Sequence, residues 1–232
     1  MTDEQKVAFI TGASRGVGHA TAKHLLAHGW SVALFSRSYT GHQELFTTYG
    51  EQRVLPVQVD VRSEESVQAG VAAVLAHFGR LDLAVVNAGI GARAPITELA
   101  TEAWHNVIQT NLHGAFYSVK HAVPALLEST GQIIIIGSLA AVHAYPGGAA
   151  YNASKFGLLG FTEAIMQDLR PHGVRVSTIL PGSIATTFST KPADDSWKIG
   201  ADDVAETIRY LTTVPLRTLP ARVELRPTKT AP

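Results

Sequence analysis

The stretch Lys6-Val7-Ala8-Phe9-Ile10-Thr11-Gly12-Ala13-Ser14-Arg15-Gly16-Val17-Gly18 starts as a short apolar run and ends in a glycine cluster. It reads as a buried strand, a tight turn and the start of a helix. A strand-to-helix turn this short needs backbone angles that only glycine visits cheaply. A second glycine lets the backbone approach a pyrophosphate, and a third lets helix and strand pack closely. The helix start adds free N–H groups and partial positive charge, which together suit an anion. A glycine cluster alone is weak evidence; the strand before it and the helix after it are the context that makes it a dinucleotide signature.

Working outward, six more runs rich in Val, Ile, Leu and Phe read as strands: Ser31–Ser36, Arg53–Val59, Leu81–Asn87, Gln132–Ser138, Val174–Leu180 and Arg222–Leu225. Most are continuous rather than alternating, as a sheet covered on both faces requires. Between them lie stretches of helical period. Val17, Ala20, His24, Leu25 and Ala27 follow the first strand, and Val67, Val71, Val74, Leu75 and Phe78 precede the fourth. The longest runs from about Leu99 to Leu127, with Pro124 expected to kink it or mark its last turn. Others cover Tyr151–Arg170 and Ala201–Leu211. This alternation predicts an α/β fold, a Rossmann-type doubly wound parallel sheet of about seven strands with helices on both faces. We expect a single domain over 1–232, its cofactor half roughly 1–130 and its catalytic half roughly 131–232.

Composition narrows the function. The 232 residues balance nineteen Lys plus Arg against nineteen Asp plus Glu, so no global field favours nucleic acid or a membrane surface. With no cysteine, disulfides, thiolate catalysis and Cys-ligated metal centres are excluded, and no metal site is expected. No apolar stretch approaches the ~18 residues of a membrane span, and the acidic start does not resemble a secretion signal. The expectation is a cytoplasmic protein that binds neither nucleic acid nor membrane.

The tip of the second strand reads Ser36-Arg37-Ser38. An NAD-selective site generally carries a carboxylate there for the ribose 2′-hydroxyl. Arg37 can instead meet a 2′-phosphate with a charge-assisted fork, and Arg15 in the glycine loop can reach the same group. Both point to NADP(H), unless they are merely solvated surface charges.

Further along stands Tyr151-Asn152-Ala153-Ser154-Lys155, with tyrosine and lysine on one helical face. A nearby ammonium favours phenolate and lowers a phenol's pKa, which makes the pair a tunable acid/base. Such a pair is common on surface helices, so its company decides. Ser138 ends a strand, where side chains face the ligand crevice. Asn111 interrupts an otherwise apolar helix face, a poor place for an amide without a reason.

Taken in order, Thr-Gly-x-x-x-Gly-x-Gly at 11–18, Asn-Ala-Gly at 87–89, Asn111, Ser138, Tyr-x-x-x-Lys at 151–155 and Pro-Gly at 181–182 resemble the short-chain dehydrogenase/reductase family, in its subgroup of ordinary length. The resemblance spans nearly the whole chain. It implies that Tyr151 exchanges a proton with the substrate oxygen, Ser138 holds that oxygen, and Lys155 lowers the tyrosine pKa and binds the nicotinamide ribose. Asn111 would anchor a water relaying protons from Lys155. Gly12, Ser14, Arg15, Gly16, Val17, Gly18 and Arg37 would hold the phosphates. Asp60 with Val61 would contact adenine, and Asn87, Ala88 and Gly89 would shape the adenosine floor. Pro181, Gly182, Ile184 and Thr186 would fix the carboxamide.

Two positions depart from the family pattern. Val86 stands where a second asparagine is frequent. Only eighteen residues separate Gly182 from Ala201, and the chain closes with Val223-Glu224-Leu225-Arg226, so the substrate lid is short. Leu139, Val142, His143, Phe188 and Trp197 are the pocket candidates, mostly apolar and suited to a neutral or aromatic carbonyl compound. His143 could titrate, though a loop histidine is more often structural. No Arg or Lys cluster marks a carboxylate or phosphorylated substrate. The reading is an oxidoreductase moving hydride between NADP(H) and a carbonyl/alcohol substrate, in the manner of a carbonyl reductase. The alternatives are an NAD-linked alcohol dehydrogenase and a non-catalytic dinucleotide sensor, the latter having no need of four catalytic side chains. Excess apolar surface on the long helix and on 151–170, including Phe156, Leu159, Phe161 and Ile165, points to a homo-oligomer, a dimer or tetramer.

Overall fold

A computed structural model describes residues 5–39, 41–185 and 195–229. Seven strands form one parallel sheet: β1 (Val7–Thr11), β2 (Ser31–Ser36), β3 (Val54–Gln58), β4 (Leu83–Val86), β5 (Gln132–Ile136), β6 (Arg175–Pro181) and β7 (Arg222–Leu225). Their order is β3-β2-β1-β4-β5-β6-β7. The side on which successive strands are added therefore switches between β1 and β4, and a crevice opens above their carboxyl ends.

Alternation that is hidden in the apolar runs becomes explicit in the packing. Phe9, Ala33, Phe35, Val86, Ile133 and Ile135 face one side of the sheet. Their neighbours Ala8, Ile10, Val32, Leu34, Val85, Ile134 and Ile136 face the other. The four isoleucines 133–136 thus serve two cores, which is why no polar residue could sit among them. Each such side chain contributes roughly 1.5–3 kcal/mol on burial. Phe9 and Phe35 stack across adjacent strands at 4.9 Å, nearly parallel.

The first core is closed by α3 (Glu64–Phe78), α5 (Gly114–Ser129) and α6 (Ala149–Leu169), the second by α1 (Gly16–Ala27) and α7 (Ala201–Thr213). Local signals fix α3 at both ends. The Ser63 hydroxyl accepts from the Ser66 N–H, Glu64 and Glu65 occupy the positive first turn, and Gly79 ends it in the left-handed conformation. Helix α2 (Gln43–Tyr49) was not expected. Leu45 is its one fully buried residue, so it carries little apolar period.

The expected long helix forms, with a π turn inside it. Helix α4 (Thr101–Ile108) passes into a π turn at Gln109–His113 before α5 begins, with the Gly114 N–H bonded to the Gln109 carbonyl. Pro124 does not end the helix, which continues five residues further to Ser129. Among the described residues no helix is long and apolar enough to cross a membrane.

Candidate active site

The crevice is a cleft of about 1170 Å³ along the carboxyl ends of the strands. It gathers residues that lie far apart in the chain: Gly12, Ser14, Arg15, Gly16, Val17, Arg37, Asp60, Val61, Asn87, Ala88, Gly89, Ser138, Tyr151, Lys155, Pro181, Gly182 and Ile184 all line it. Gly18 and Asn111 stand behind the lining. Thr186 and Phe188 lie outside the described residues.

At the phosphate end the glycines divide their work as expected. Gly12 and Gly16 have φ of 69° and 57°. A Cβ on Gly18 would run into the Gly12 carbonyl and stand 2.7 Å from Asn87 Nδ2, so helix and loop meet only without a side chain. The loop is tied to β4 by Thr11, the first residue of the motif. Thr11 Oγ1 accepts from the Asn87 and Ala88 N–H groups at 2.9 and 3.0 Å, while Asn87 Nδ2 donates to the Thr11 carbonyl at 2.9 Å. Arg15 takes the N-cap position of α1 with no side-chain cap, and no acid stands in the first turn. The amide groups there remain open to a bound anion, and the tight, positive loop fits a pyrophosphate.

At the tip of β2, Arg37 is exposed on the cleft wall with no carboxylate beside it in sequence. Asp60 lies within its field; the Asp60 carboxyl is held below the usual range chiefly by the Arg62 side chain, with Arg37 adding a smaller effect. Arg62 clamps Asp60 through Nε at 3.0 Å and a terminal nitrogen at 2.6 Å. The carboxylate expected to meet adenine is therefore engaged by an arginine two residues on, and that arginine also lines the cleft. The i, i+2 spacing of Asp60 and Arg62 was the available signal.

At the chemical end, Ser138 leaves β5 and its hydroxyl accepts from the Ala140 N–H at 3.1 Å. Tyr151, on the first turn of α6, hydrogen-bonds Ser138. Lys155 Nζ lies 5.7 Å from the centre of the Tyr151 ring, is 4% exposed, and donates to the Ile136 carbonyl at 2.9 Å. Burial lowers the Lys155 pKa to about 8. The expected effect of lysine on tyrosine is not what dominates here. Burial pushes the Tyr151 phenol above its ordinary value, and the bond from Ser138 opposes that shift.

The π turn explains Asn111. The widened backbone swings this buried side chain toward the loop after β4, where Oδ1 accepts from the Ile90 N–H at 2.8 Å. Nδ2 donates to the Ile90 carbonyl at 2.9 Å and to Ser154 Oγ at 3.0 Å. Ser154 donates in turn to the Tyr151 carbonyl at 2.7 Å. Both amide hydrogens are thus used in positioning the Ile90 loop and α6, so a relay water would find one lone pair on this side chain. A π turn at such a place is a frequent mark of function. Gly89 keeps the gap open: a Cβ there would stand 3.4 Å from Asn111 Oδ1 and 3.8 Å from Lys155 Nζ.

Of the described substrate candidates, Leu139, His143 and Trp197 line the cleft, whereas half-buried Val142 is not part of the lining. The expectation of a pocket without cations needs correction. Arg226 and Lys229 join the lining, carried there by the chain leaving β7.

Similarity to known proteins agrees with this geometry. Residues 6–197 match the family model described as short chain dehydrogenase. The chain is 37% identical over 193 residues to a trans-4-hydroxycyclohexanecarboxylate dehydrogenase from Sinomonas cyclohexanicum, covering 80% of this chain and 74% of that protein. An alcohol dehydrogenase from the archaeon Thermococcus sibiricus, solved with 5-hydroxy-NADP, superposes with a TM-score of 0.91 at 28% identity, covering 99% of both chains. A 3-ketoacyl-(acyl-carrier-protein) reductase from Brucella melitensis, solved with NADH, gives 0.89 at 27% identity over 97% of this chain and 98% of that one. Sheet order, glycine turn and family match converge, and the chain belongs to the short-chain dehydrogenase family of oxidoreductases.

Proposed function

We propose that this protein reduces a carbonyl compound with NADPH, or oxidises the corresponding alcohol with NADP⁺. The observation that carries the reading is the hydrogen-bonded Ser138–Tyr151 pair at the cleft wall, with buried Lys155 beneath it. Bound nicotinamide would supply or accept the hydride. Tyr151 holds the proton at its phenol oxygen and passes it to the carbonyl oxygen during reduction. Ser138 hydrogen-bonds the same oxygen and steadies the charge that develops on it. Lys155, with one N–H already on the Ile136 carbonyl, has two more for the hydroxyls of a ribose. Asn111 is a positioning residue that acts through Ile90 and Ser154.

NADP(H) rather than NAD(H) follows from Arg37 and Arg15 at a strand tip without a carboxylate. The alcohol dehydrogenase with its NADP derivative supports this choice, while the reductase with NADH shows that the same fold serves either dinucleotide. Absorbance of NADPH, followed with a panel of aldehydes, ketones and diketones, tests the proposal. Substrate-dependent loss of absorbance that disappears in Tyr151→Phe is expected. Tight NADPH binding without turnover on any carbonyl would favour a sensor.

Exposed Trp104, Phe116, Leu127 and Phe156 on α4, α5 and α6 support a homo-oligomer built through these helices. Light scattering at the mass of one chain would remove that part of the proposal.

A further inference from the structure

We propose that Arg226 and Lys229 form an anion-recognition subsite, so that the carbonyl substrate carries an oxyanion group, a carboxylate or sulfonate, away from its reacting carbon. The inference deepens the reductase reading and rests on it for the identity of the reacting group.

Topology carries the first part of the case. Strand β7 pairs in parallel with β6, so the chain leaving it emerges at the end of the sheet where the chemistry lies. The Gly182 N–H donates to the Leu225 carbonyl at 2.8 Å, and a Cβ on Gly182 would stand 3.1 Å from Pro227 Cδ. Residues 226–229 are therefore fastened across the top of β6, and Arg226, Pro227 and Lys229 face the cleft.

Position within the cleft carries the second part. A terminal nitrogen of Arg226 lies 3.3 Å from His143 Nε2, in the segment that follows Ser138. A guanidinium has donors only, so the imidazole nitrogen accepts. That contact puts Arg226 at the substrate side, away from the adenosine side marked by Arg37 and Asp60.

Charge carries the third. Glu224 forms an ion pair with Arg226 at 3.0 Å, and Asp195 pairs with Lys198 at 2.5 Å. Asp60 is the one carboxylate in the lining among the described residues, and it is held by Arg62 at the far end. Among the described residues the excess positive charge at this end is therefore that of Lys229, while the Arg226 fork still has N–H groups to offer. A neutral ketone has no use for it.

The test compares 4-formylbenzoate, 4-formylbenzenesulfonate and methyl 4-formylbenzoate, which share a ring and an aldehyde and differ in charge. Turnover with NADPH and calorimetric binding to the enzyme with NADP⁺ are measured for wild type, Arg226→Ala and Lys229→Ala. The expected kcat/KM ratio of carboxylate or sulfonate over ester is roughly 10- to 100-fold, the range of a charged hydrogen bond, and Arg226→Ala brings it toward one, mainly through KM. The larger of the two charged arms identifies the oxyanion. A wild-type ratio at or below one overturns the subsite. So does an intact ratio in Arg226→Ala with weakened NADPH binding, which would assign the arginine to the dinucleotide. Arg226-dependent binding of the charged aldehydes with no turnover would leave the subsite standing and remove the reductase reading instead.

Discussion

The two ends of the cleft are built from different materials. At the phosphate end, recognition rests on backbone geometry and exposed cations: Gly12, Gly16, Gly18, the open start of α1, Arg15 and Arg37. At the chemical end it rests on buried or half-buried titratable side chains, Lys155 and Tyr151. Exposed arginines beside a loop cost the fold little. A lysine ammonium that is 4% exposed works against it. On the proposed roles, the catalytic groups are held at the expense of stability, whereas the phosphate-binding groups are not.

The largest effect separating the two ends is expected from Tyr151→Phe. Removing the proton donor should lower kcat by roughly 10²- to 10⁴-fold with NADPH affinity retained. If affinity falls equally, the two ends are coupled and the division is wrong. Next comes Lys155→Met. The lysine pKa is depressed by folding from 10.5 to about 8, so between these values the unfolded chain binds more protons. Stability therefore rises with pH across that window, and below about 8 the penalty is fully present, of the order of 3 kcal/mol. Chemical denaturation at neutral pH should find the methionine variant more stable than wild type, while turnover is lost.

Smaller, and confined to the other end, is Arg37→Asp. It should weaken NADPH binding by roughly 10- to 100-fold with little change in melting temperature, the signature of an exposed charge-assisted contact. Unchanged affinity in a fluorescence titration would send the dinucleotide assignment to NAD(H). The mildest expectation is Ser154→Ala. This variant loses the link between Asn111 and the Tyr151 carbonyl, a cost of about 1 kcal/mol in stability. If Ser154 positions α6, kcat falls while KM holds. A change in stability alone would make the link purely structural.

How legible each part was follows from the same contrast. All seven strands are readable within about two residues because buried parallel strands are continuous apolar runs, and their parallel pairing follows from alternation with helices. The glycine turn was readable because its backbone demands are local. Residues joined by the third dimension were harder. Nothing near Arg226 in sequence links it to His143, eighty-three positions away; only the parallel pairing of β7 brings them together. Thr11, Ile90 and Ser154 carry no role in the sequence alone, because hydroxyl and backbone groups acquire roles only through partners elsewhere in the chain. Burial raises the Tyr151 pKa through neighbours that the Tyr-x-x-x-Lys spacing does not encode.

The π turn at Gln109–His113 has a mechanical consequence as well. One additional residue in a helical turn rotates everything beyond it by about 100° relative to everything before it. The apolar stripe of α4 and that of α5 consequently point in different directions although the rod is unbroken. Val107 meets one set of neighbours, while Ala115, Val119 and Ala122 address the sheet. Deleting a single residue from this segment would restore a uniform helix and turn the second stripe away from its core. An alignment gap of one would in this place be a change of phase, and a costly one.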